Sequence, residues 1–234
     1  MKSIQADGAI GMMVAERPGR SRVFERFGID YCCGGKKPLR DVCETKEISL
    51  QAIIRKLELD DARIDMLGTG QNWLNAPLPE VVTHIVDTHH HYLKCALPRL
   101  TFLIGKVAAA HGEKNPSLNE LADVFAVFRK EMEAHAAKEE KVEFPYILDL
   151  AGNACSMDDS ILGRIEDLEA EHESAGAALA KMRTLTNGFT APKGSCNTYM
   201  AMLDALKELE FDTHIHVHLE NSILFPRAIA LQAN

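Results

Sequence analysis

Two copies of one short pattern of histidine and glutamate give this chain its clearest chemical potential. Each copy has a histidine, a glutamate four residues later, and a Phe-Pro pair that begins five residues after the glutamate. The copies are His135, Glu139 and Phe144-Pro145, and His216, Glu220 and Phe225-Pro226. Residues four apart lie on the same face of an α-helix, so each copy directs an imidazole and a carboxylate the same way. Two such helices facing each other would offer the nitrogen and oxygen ligands that suit iron, manganese or zinc.

Four apolar stripes with alternating steps of three and four residues would position these side chains. The stripes are Val86, His90, Leu93, Leu97, Leu100, Ile104, Val107; Leu121, Phe125, Phe128, Met132, His135, Glu139, Val142; Ile161, Ile165, Leu168, His172, Ala175, Leu179, Met182; and Met202, Leu206, Leu209, Thr213, His216, Glu220, Ile223. This periodicity is that of inward-facing positions in a four-helix bundle. We therefore predict an all-α fold.

Polar residues interrupt the apolar stripes, and we predict that they bind metal. They are His90, His135, Glu139, His172, His216 and Glu220. An unpaired polar group in a core costs about 1–3 kcal/mol, and a shared metal would offset that cost for the whole set. Among the consecutive histidines 89–91, only His90 lies on a stripe. Cysteine is absent from the stripes, which argues against structural zinc and favours a non-haem di-iron centre, with zinc and manganese as alternatives.

The chain before the stripes predicts a separate small unit. We assign residues 1–62 to an N-terminal helical domain, 63–79 to a linker rich in glycine and proline, and 80–234 to the bundle. A short helix is predicted from Ser21 to Phe27, and Gly28 would end it. Ser49 is a candidate N-cap for a helix to about Leu59. In the bundle, Ser117 and Glu120 predict a capping box for the second long helix.

The N-terminal unit contains the sequence Asp-Tyr-Cys-Cys-Gly-Gly at residues 30–35. The Cα atoms of Cys32 and Cys33 are about 3.8 Å apart, which is short for a relaxed disulfide, so we expect free thiols. Gly34 and Gly35 would leave these thiols exposed and mobile. We assign Cys32 and Cys33 to metal transfer or to redox contact with a client protein, and the alternative is a turn that happens to contain two cysteines.

Composition limits the classes of partner. The formal net charge of −8 does not match the basic surface of nucleic-acid-binding proteins. No stretch approaches the roughly 18 consecutive apolar residues of a membrane span, and the apolar residues 8–15 lack the features of a signal peptide. With six cysteines and no secretory signal, we expect reduced thiols in the cytoplasm.

These motifs resemble those of the hemerythrin-type bundle proteins and, among them, the repair-of-iron-centres family of the YtfE/ScdA/DnrN type. The matching segments are DYCCGG, HIVDTHH around His90, HAAKEEKVEFP from His135, EAEHESAG around His172 and HVHLENSILFP from His216. They extend over nearly the whole chain and in the same domain order. The combination of DYCCGG with two copies of the His/Glu pattern is specific.

The resemblance implies a site, a function and an assembly. It implies two irons bound by the six stripe residues, with Glu139 and Glu220 as bridging carboxylates. It implies repair of iron–sulfur clusters damaged by nitric oxide or peroxide, through iron supply, by cytoplasmic homodimers. Oxygen-carrying hemerythrins have a further histidine where this chain has Gly176, which implies a more open and labile centre. Glu131 and Glu171 are candidates to support the ligands from inside the bundle.

Two other functions are compatible with the sequence. A di-iron site with an open position could reduce nitric oxide or peroxide as an enzyme, or it could sense oxygen or nitric oxide as a binding module. Steady turnover with an electron donor would indicate the enzyme. Reversible oxygen binding without loss of iron would indicate the sensor, and loss of iron to an apo iron–sulfur protein would indicate the donor.

Overall fold

Helices form the framework of this protein. The computed structural model describes residues 4–67, 72–152 and 160–232. The α-helices are α1 (Ile10–Glu16), α2 (Ser21–Arg26), α3 (Leu39–Thr45), α4 (Leu50–Leu67), α5 (Leu78–His84), α6 (His91–His111), α7 (Ser117–Lys138), α8 (Phe144–Ala151), α9 (Ile161–Leu185), α10 (Asn197–Leu219) and α11 (Phe225–Gln232). No β-strand occurs in the described ranges, although an isolated antiparallel bridge pairs Ala9 with Pro38. The predicted all-α class is confirmed.

Residues Val82–His214 form one compact unit, the bundle unit. Its core combines buried side chains from α6, α7, α9 and α10, and α7 packs against both α6 and α9. Leu100, Leu121, Phe128, Met202 and Leu209 are completely buried in it. Each such side chain stabilises the fold by about 1.5–3 kcal/mol. Most apolar residues of the predicted stripes are thus buried, and each stripe contributes to the core of the bundle unit.

In the part of the chain that the structure describes, three π-helical segments lie beside candidate ligands. They span Ile85–His90, Glu139–Glu143 and Glu220–Leu224. A π-turn contains an extra residue, so it shifts the positions that face inward. Ile85 is therefore buried where the stripe predicted Val86, which is half-buried, and Glu143 is buried while the predicted Val142 is 48% exposed.

The prolines of the repeated pattern follow the second and third π-segments. Pro145 lies in the first turn of α8, and Pro226 is the second residue of α11. Proline has no N–H to donate, and in the first turn of a helix no donor is required. Each proline is therefore accommodated at the start of a new α-helix that follows a π-turn.

The second compact unit joins both ends of the chain, Met1–Val81 and Ile215–Asn234. Its core includes Ile10, Phe24, Leu39 and Ile53 together with Val217 from α10. The contacts thus assign residues 215–234 to the terminal unit, whereas the predicted division at 62 and 80 followed the stripes alone. A stripe records one face of a helix, and Val217 lies on another face of α10.

The helix starts and ends predicted from single residues were only partly confirmed. Ser49 Oγ accepts the N–H of Ala52 at 3.3 Å, as an N-cap does, but α4 continues beyond the predicted Leu59 to Leu67. Gly28 follows the C-cap residue Phe27 of α2 and has φ of 61°, in agreement with its predicted role at the end of the helix. The capping box predicted at Ser117 is wrong, since Pro116 is the N-cap and no side chain caps α7. Residues 68–71 of the predicted linker lie outside the described residues.

Within the described ranges, no helix combines the length and the apolar character needed to cross a lipid bilayer.

Candidate metal centre

Three ligand-type side chains meet inside the bundle unit. They are His135 near the end of α7, Glu139 at the start of the following π-segment and His172 on α9. Ligand atoms of these residues all lie within 4.8 Å of one another, and the three side chains are buried. The Nε2 atoms of His135 and His172 are 3.1 Å apart, which matches the roughly 3 Å between neighbouring ligands at about 2.1 Å from one metal ion.

Glu139 directs its two oxygens at two different imidazoles of the bundle unit. Its Oε1 lies 3.3 Å from Nε2 of His135, and its Oε2 lies 3.2 Å from Nε2 of His90. The His90 ring stacks on Phe144 with 13° between the planes, which fixes its orientation. A carboxylate placed in this way can bridge two metal ions, one beside each imidazole.

The second copy of the pattern lies at the end of α10, in the terminal unit. His216 Nε2 and Glu220 Oε1 are 2.8 Å apart, and both side chains are fully buried. Glu220 begins a π-segment just as Glu139 does. The structure therefore repeats in this helix the imidazole and carboxylate arrangement that His135 and Glu139 show in the bundle unit.

Glu171 supports His135 from the side opposite Glu139. Its Oε2 lies 2.6 Å from Nδ1 of His135, and its Oε1 accepts a hydrogen bond of 2.8 Å from Lys138. Burial alone would raise the pKa of Glu171, but hydrogen bonds from His135 and Lys138 hold it below its ordinary value. An ionised carboxylate can only accept, so Nδ1 carries the proton and Nε2 offers its lone pair to a metal.

Glu140 is a supporting residue that the sequence analysis missed. Its Oε1 lies 3.0 Å from Nδ1 of His90 and 2.8 Å from Nζ of Lys94. Burial would raise the pKa of Glu140, but these hydrogen bonds hold it below its ordinary value. Glu140 lies off the inward stripe and contacts a candidate ligand from a different helix, so stripe periodicity could not identify it. The one available signal was its position directly after Glu139.

Glu131 does not occupy the predicted place inside the bundle. Its side chain is exposed and accepts a hydrogen bond of 3.4 Å from Ser174. Glu131 precedes His135 by one turn, and the ring nitrogen that it could have supported is held by Glu171 instead. Proximity in sequence to a candidate ligand was therefore insufficient to predict contact with it.

The consecutive histidines around position 90 have different environments. His90 is completely buried and His91 is exposed, as the stripe predicted. His89 is also buried, with its Nδ1 2.9 Å from Oδ1 of Asp212 on α10. His89 therefore has a structural contact with a neighbouring helix, whereas His91 faces solvent.

The vicinal cysteines lie in a turn organised by Asp30. One oxygen of Asp30 accepts the N–H groups of Cys32 and Cys33 at 3.0 Å each, and the other accepts that of Gly34 at 2.9 Å. The two Sγ atoms are 3.9 Å apart, so no disulfide joins them. A hydrogen bond to Cys33, together with burial, holds the pKa of the Cys32 thiol well above its ordinary value. Cys32 is thus a protonated thiol at neutral pH.

The expectation of exposed thiols is wrong for Cys32, which is only 4% exposed. The turn packs closely on other parts of the terminal unit, and Gly11 N–H donates to the carbonyl of Gly35 at 2.9 Å. A Cβ on Gly35 would come within 2.6 Å of the Tyr31 carbonyl oxygen, so glycine is required there for close packing. Asn221, the residue after Glu220, donates to the Cys32 carbonyl at 3.4 Å.

A buried histidine near the end of α10 was also missed as a contact of this turn. The ring of His218 lies edge-on to Tyr31, with 5.5 Å between centroids. Burial lowers the pKa of His218 to about 4, so its imidazole is neutral at physiological pH. Together with Asn221, His218 joins the cysteine turn to the helical segment that carries Glu220.

Known protein families match both parts of this chain. Residues 6–61 match the ScdA_N family model, described as a domain of unknown function, and residues 81–228 match the Hemerythrin HHE cation binding domain. A relative from Citrobacter koseri is 33% identical over 224 residues, covering 96% of this chain and 97% of its own length. Relatives from Shigella boydii serotype 4 and Escherichia coli K12 are 32% identical with the same coverage. Each of the three is named iron–sulfur cluster repair protein YtfE.

Proposed function

This chain belongs to the hemerythrin-type family of two-domain iron–sulfur cluster repair proteins, and from that membership we propose that it repairs clusters damaged by nitrosative or oxidative stress by donating iron. Its partners are then damaged or apo iron–sulfur proteins. We further propose that it works in the cytoplasm as a homodimer. Cluster repair is the function for which the relatives are named, and it supports the first part of the proposal.

The observation that carries the proposal is the position of Glu139 between His90 and His135, with one oxygen toward each imidazole. Such a carboxylate suits two metal ions rather than one. We propose that His90, His135, Glu139, His172, His216 and Glu220 bind two irons, with Glu139 and Glu220 as bridges. The ligands fit iron because the set combines imidazole nitrogen with carboxylate oxygen and contains no thiolate.

A donor must hold iron firmly enough to load and loosely enough to release it. The six proposed ligands cannot fill the coordination of two six-coordinate irons, so positions are left for water or for a small ligand such as oxygen or nitric oxide. Gly176 follows His172 by four residues and adds no further ligand. We propose that this incomplete protein coordination makes the bound iron available for transfer.

The cysteine turn, which contains Cys32 and Cys33, has a separate role in this proposal. Soft thiolates suit the transfer of iron toward a client, whereas imidazole and carboxylate suit its storage. The Cys32 thiol is held protonated beside Cys33 and Asp30, so it would need to lose its proton before it binds iron. The contact between Asn221 and Cys32 supports this role, because it places the turn beside the segment that carries a proposed ligand.

The test is recovery of a [4Fe–4S] enzyme inactivated by nitric oxide. Protein reconstituted anaerobically with iron should contain about two irons per chain, show the absorption of an oxo-bridged di-iron centre and restore the activity of the damaged enzyme. The matched control is the Glu133→Gln variant, which removes a surface charge that pairs with Arg129. Tight binding of zinc with one iron or none per chain, or recovery no greater than with free iron, would contradict the proposal.

A further inference from the structure

The two carboxylates that support His90 and His135 differ in how their oxygens share their hydrogen bonds. Glu171 gives one oxygen to His135 at 2.6 Å and its other oxygen to Lys138. Glu140 gives the same oxygen to His90 at 3.0 Å and to Lys94 at 2.8 Å. The Glu171 oxygen that contacts His135 thus does not also contact Lys138. The Glu140 oxygen that contacts His90, in contrast, also accepts a hydrogen bond from the Lys94 ammonium group.

This difference affects how strongly each imidazole can bind a metal. A carboxylate that accepts the Nδ1 proton of an imidazole fixes the tautomer and makes Nε2 a stronger ligand. An ammonium group on the same oxygen competes for its electron density, so it weakens that effect. His90 should therefore be the weaker ligand, because its hydrogen bond to the carboxylate is longer and shared.

The lysine of the His90 arrangement is accessible from solvent. The Lys94 side chain is 61% exposed, and the Glu140 side chain is 27% exposed. His90 itself is completely buried and stacked on Phe144. Glu140 therefore links a buried imidazole to a charged group at the surface, where an approaching client could alter the contact.

We propose that Glu140 is a positioning residue for His90, and that its sharing with Lys94 makes the metal position beside His90 the one from which iron is donated first. This inference rests on the proposed function and deepens it by assigning the labile position. It makes the two positions unequal, with the iron beside His135 and His172 retained longer.

Iron release from the loaded protein under anaerobic conditions tests the inference. A ferrous chelator should capture the two irons in a fast and a slow phase. Glu140→Gln should accelerate the fast phase by about 10-fold or more, since loss of a supporting carboxylate costs about 10–100-fold in metal affinity. Lys94→Met should slow the fast phase. Glu171→Gln should accelerate the slow phase, and the surface variant Glu133→Gln should change neither.

Nitrogen-15 NMR of the iron-free protein provides a readout that does not depend on iron. In the iron-free protein Glu139 faces Nε2 of His90, so the readout is the nitrogen that faces Glu140. His90 Nδ1 should carry a proton in the wild type and in Glu140→Gln, where the amide oxygen can still accept, and should lose it in Glu140→Leu. An Nδ1 signal that is the same in wild type and Glu140→Leu would overturn the positioning role.

Two results separate this inference from the proposed function. Protein that loads iron and repairs clusters, but whose fast phase is identical in wild type and Glu140→Gln, would overturn the inference alone. Equal acceleration of both phases by Glu140→Gln would also overturn it, because the effect would then not be specific to one position. Wild-type protein that binds no iron would overturn both.

Discussion

The imidazoles of His135 and His172 approach each other with their Nε2 atoms 3.1 Å apart. Because Glu171 holds the proton of His135 on Nδ1, the Nε2 lone pair of His135 faces the other ring. Two buried nitrogens at this separation suit a shared metal ion better than an apolar core. The stability of the fold should therefore depend on metal.

Iron binding should raise the melting temperature of the protein. Ligand that binds only the folded state increases the free energy of unfolding by about 2.7 kcal/mol at one hundred times its Kd. Calorimetry with ferrous iron under anaerobic conditions checks this, with magnesium as the control because it prefers all-oxygen sites. An unchanged melting temperature, or an equal shift with magnesium, would show that the His135 and His172 arrangement is not a transition-metal site.

Substitution of either carboxylate proposed to bridge the two irons should deplete the site of iron, whereas substitution of an exposed neighbour should not. Glu139→Ala and Glu220→Ala should each reduce iron content by half or more, because each removes a ligand proposed to serve both ions. His91→Ala should leave iron content within about 10% of the wild type, since His91 faces solvent. Iron is measured by elemental analysis after reconstitution.

The opposite pattern would show that the assignment of faces is wrong. If His91→Ala emptied the site while His90→Ala did not, the inward face of this helix would have been misassigned. His89→Ala is a less suitable control, because His89 is buried and hydrogen-bonded to Asp212, so its loss affects packing as well.

The sequence could predict the stripes and the six candidate ligands because helical periodicity alone determines which residues share a face. His135 with Glu139, and His216 with Glu220, lie as the repeated pattern predicted. The π-segments were not predictable from the same period, because an extra residue per turn shifts the inward positions, as Ile85 and Glu143 show. Glu140 was missed for a different reason, since its contact with His90 joins two helices.

The burial of Cys32 was not predicted because glycine can either make a backbone mobile or allow it to pack closely. Gly34 and Gly35 were interpreted as a source of mobility, but Gly35 allows close packing against Gly11. A pair of glycines in a sequence does not distinguish these uses. The packing of Val217 in the terminal unit could not be predicted either, since its partners lie nearly two hundred residues earlier in the chain.

The close packing of the cysteine turn can be tested through the glycines. Gly35→Ala should destabilise the protein by about 1–3 kcal/mol, because the new Cβ would meet the Tyr31 carbonyl oxygen at 2.6 Å. Gly105→Ala in α6 is the matched control, since beyond the adjacent residues and the helix's own backbone no atom lies within 4 Å of the added Cβ. It should stabilise the helix by about 0.5–1 kcal/mol. Urea unfolding measures both, and equal stability of the two variants would contradict the packing account.

The cysteines should be needed for repair but not for iron storage. A Cys32→Ala/Cys33→Ala double variant should keep nearly full iron content and stability while it loses much of its repair activity, because the thiols are not among the proposed ligands. The matched control is Cys95→Ala/Cys196→Ala, which removes two exposed thiols elsewhere. Iron content and repair are measured on the same preparation.

Either of two other outcomes for the double cysteine variant would contradict the division of roles. If iron content and repair fell together, the thiols would belong to the metal site. If neither fell, Cys32 and Cys33 would form a turn without a chemical role, and transfer would depend on the imidazole and carboxylate residues alone.

The most direct test of iron donation follows labelled iron. Protein loaded with iron-57 is mixed anaerobically with an iron-depleted cluster protein, sulfide, a thiol reductant and a chelator that captures iron released to solution. We predict that Mössbauer spectroscopy will find iron-57 in the rebuilt cluster in the amount lost by the donor. A donor that keeps its iron-57 while it turns over nitric oxide or peroxide, or that reversibly binds oxygen without losing iron, would contradict the account.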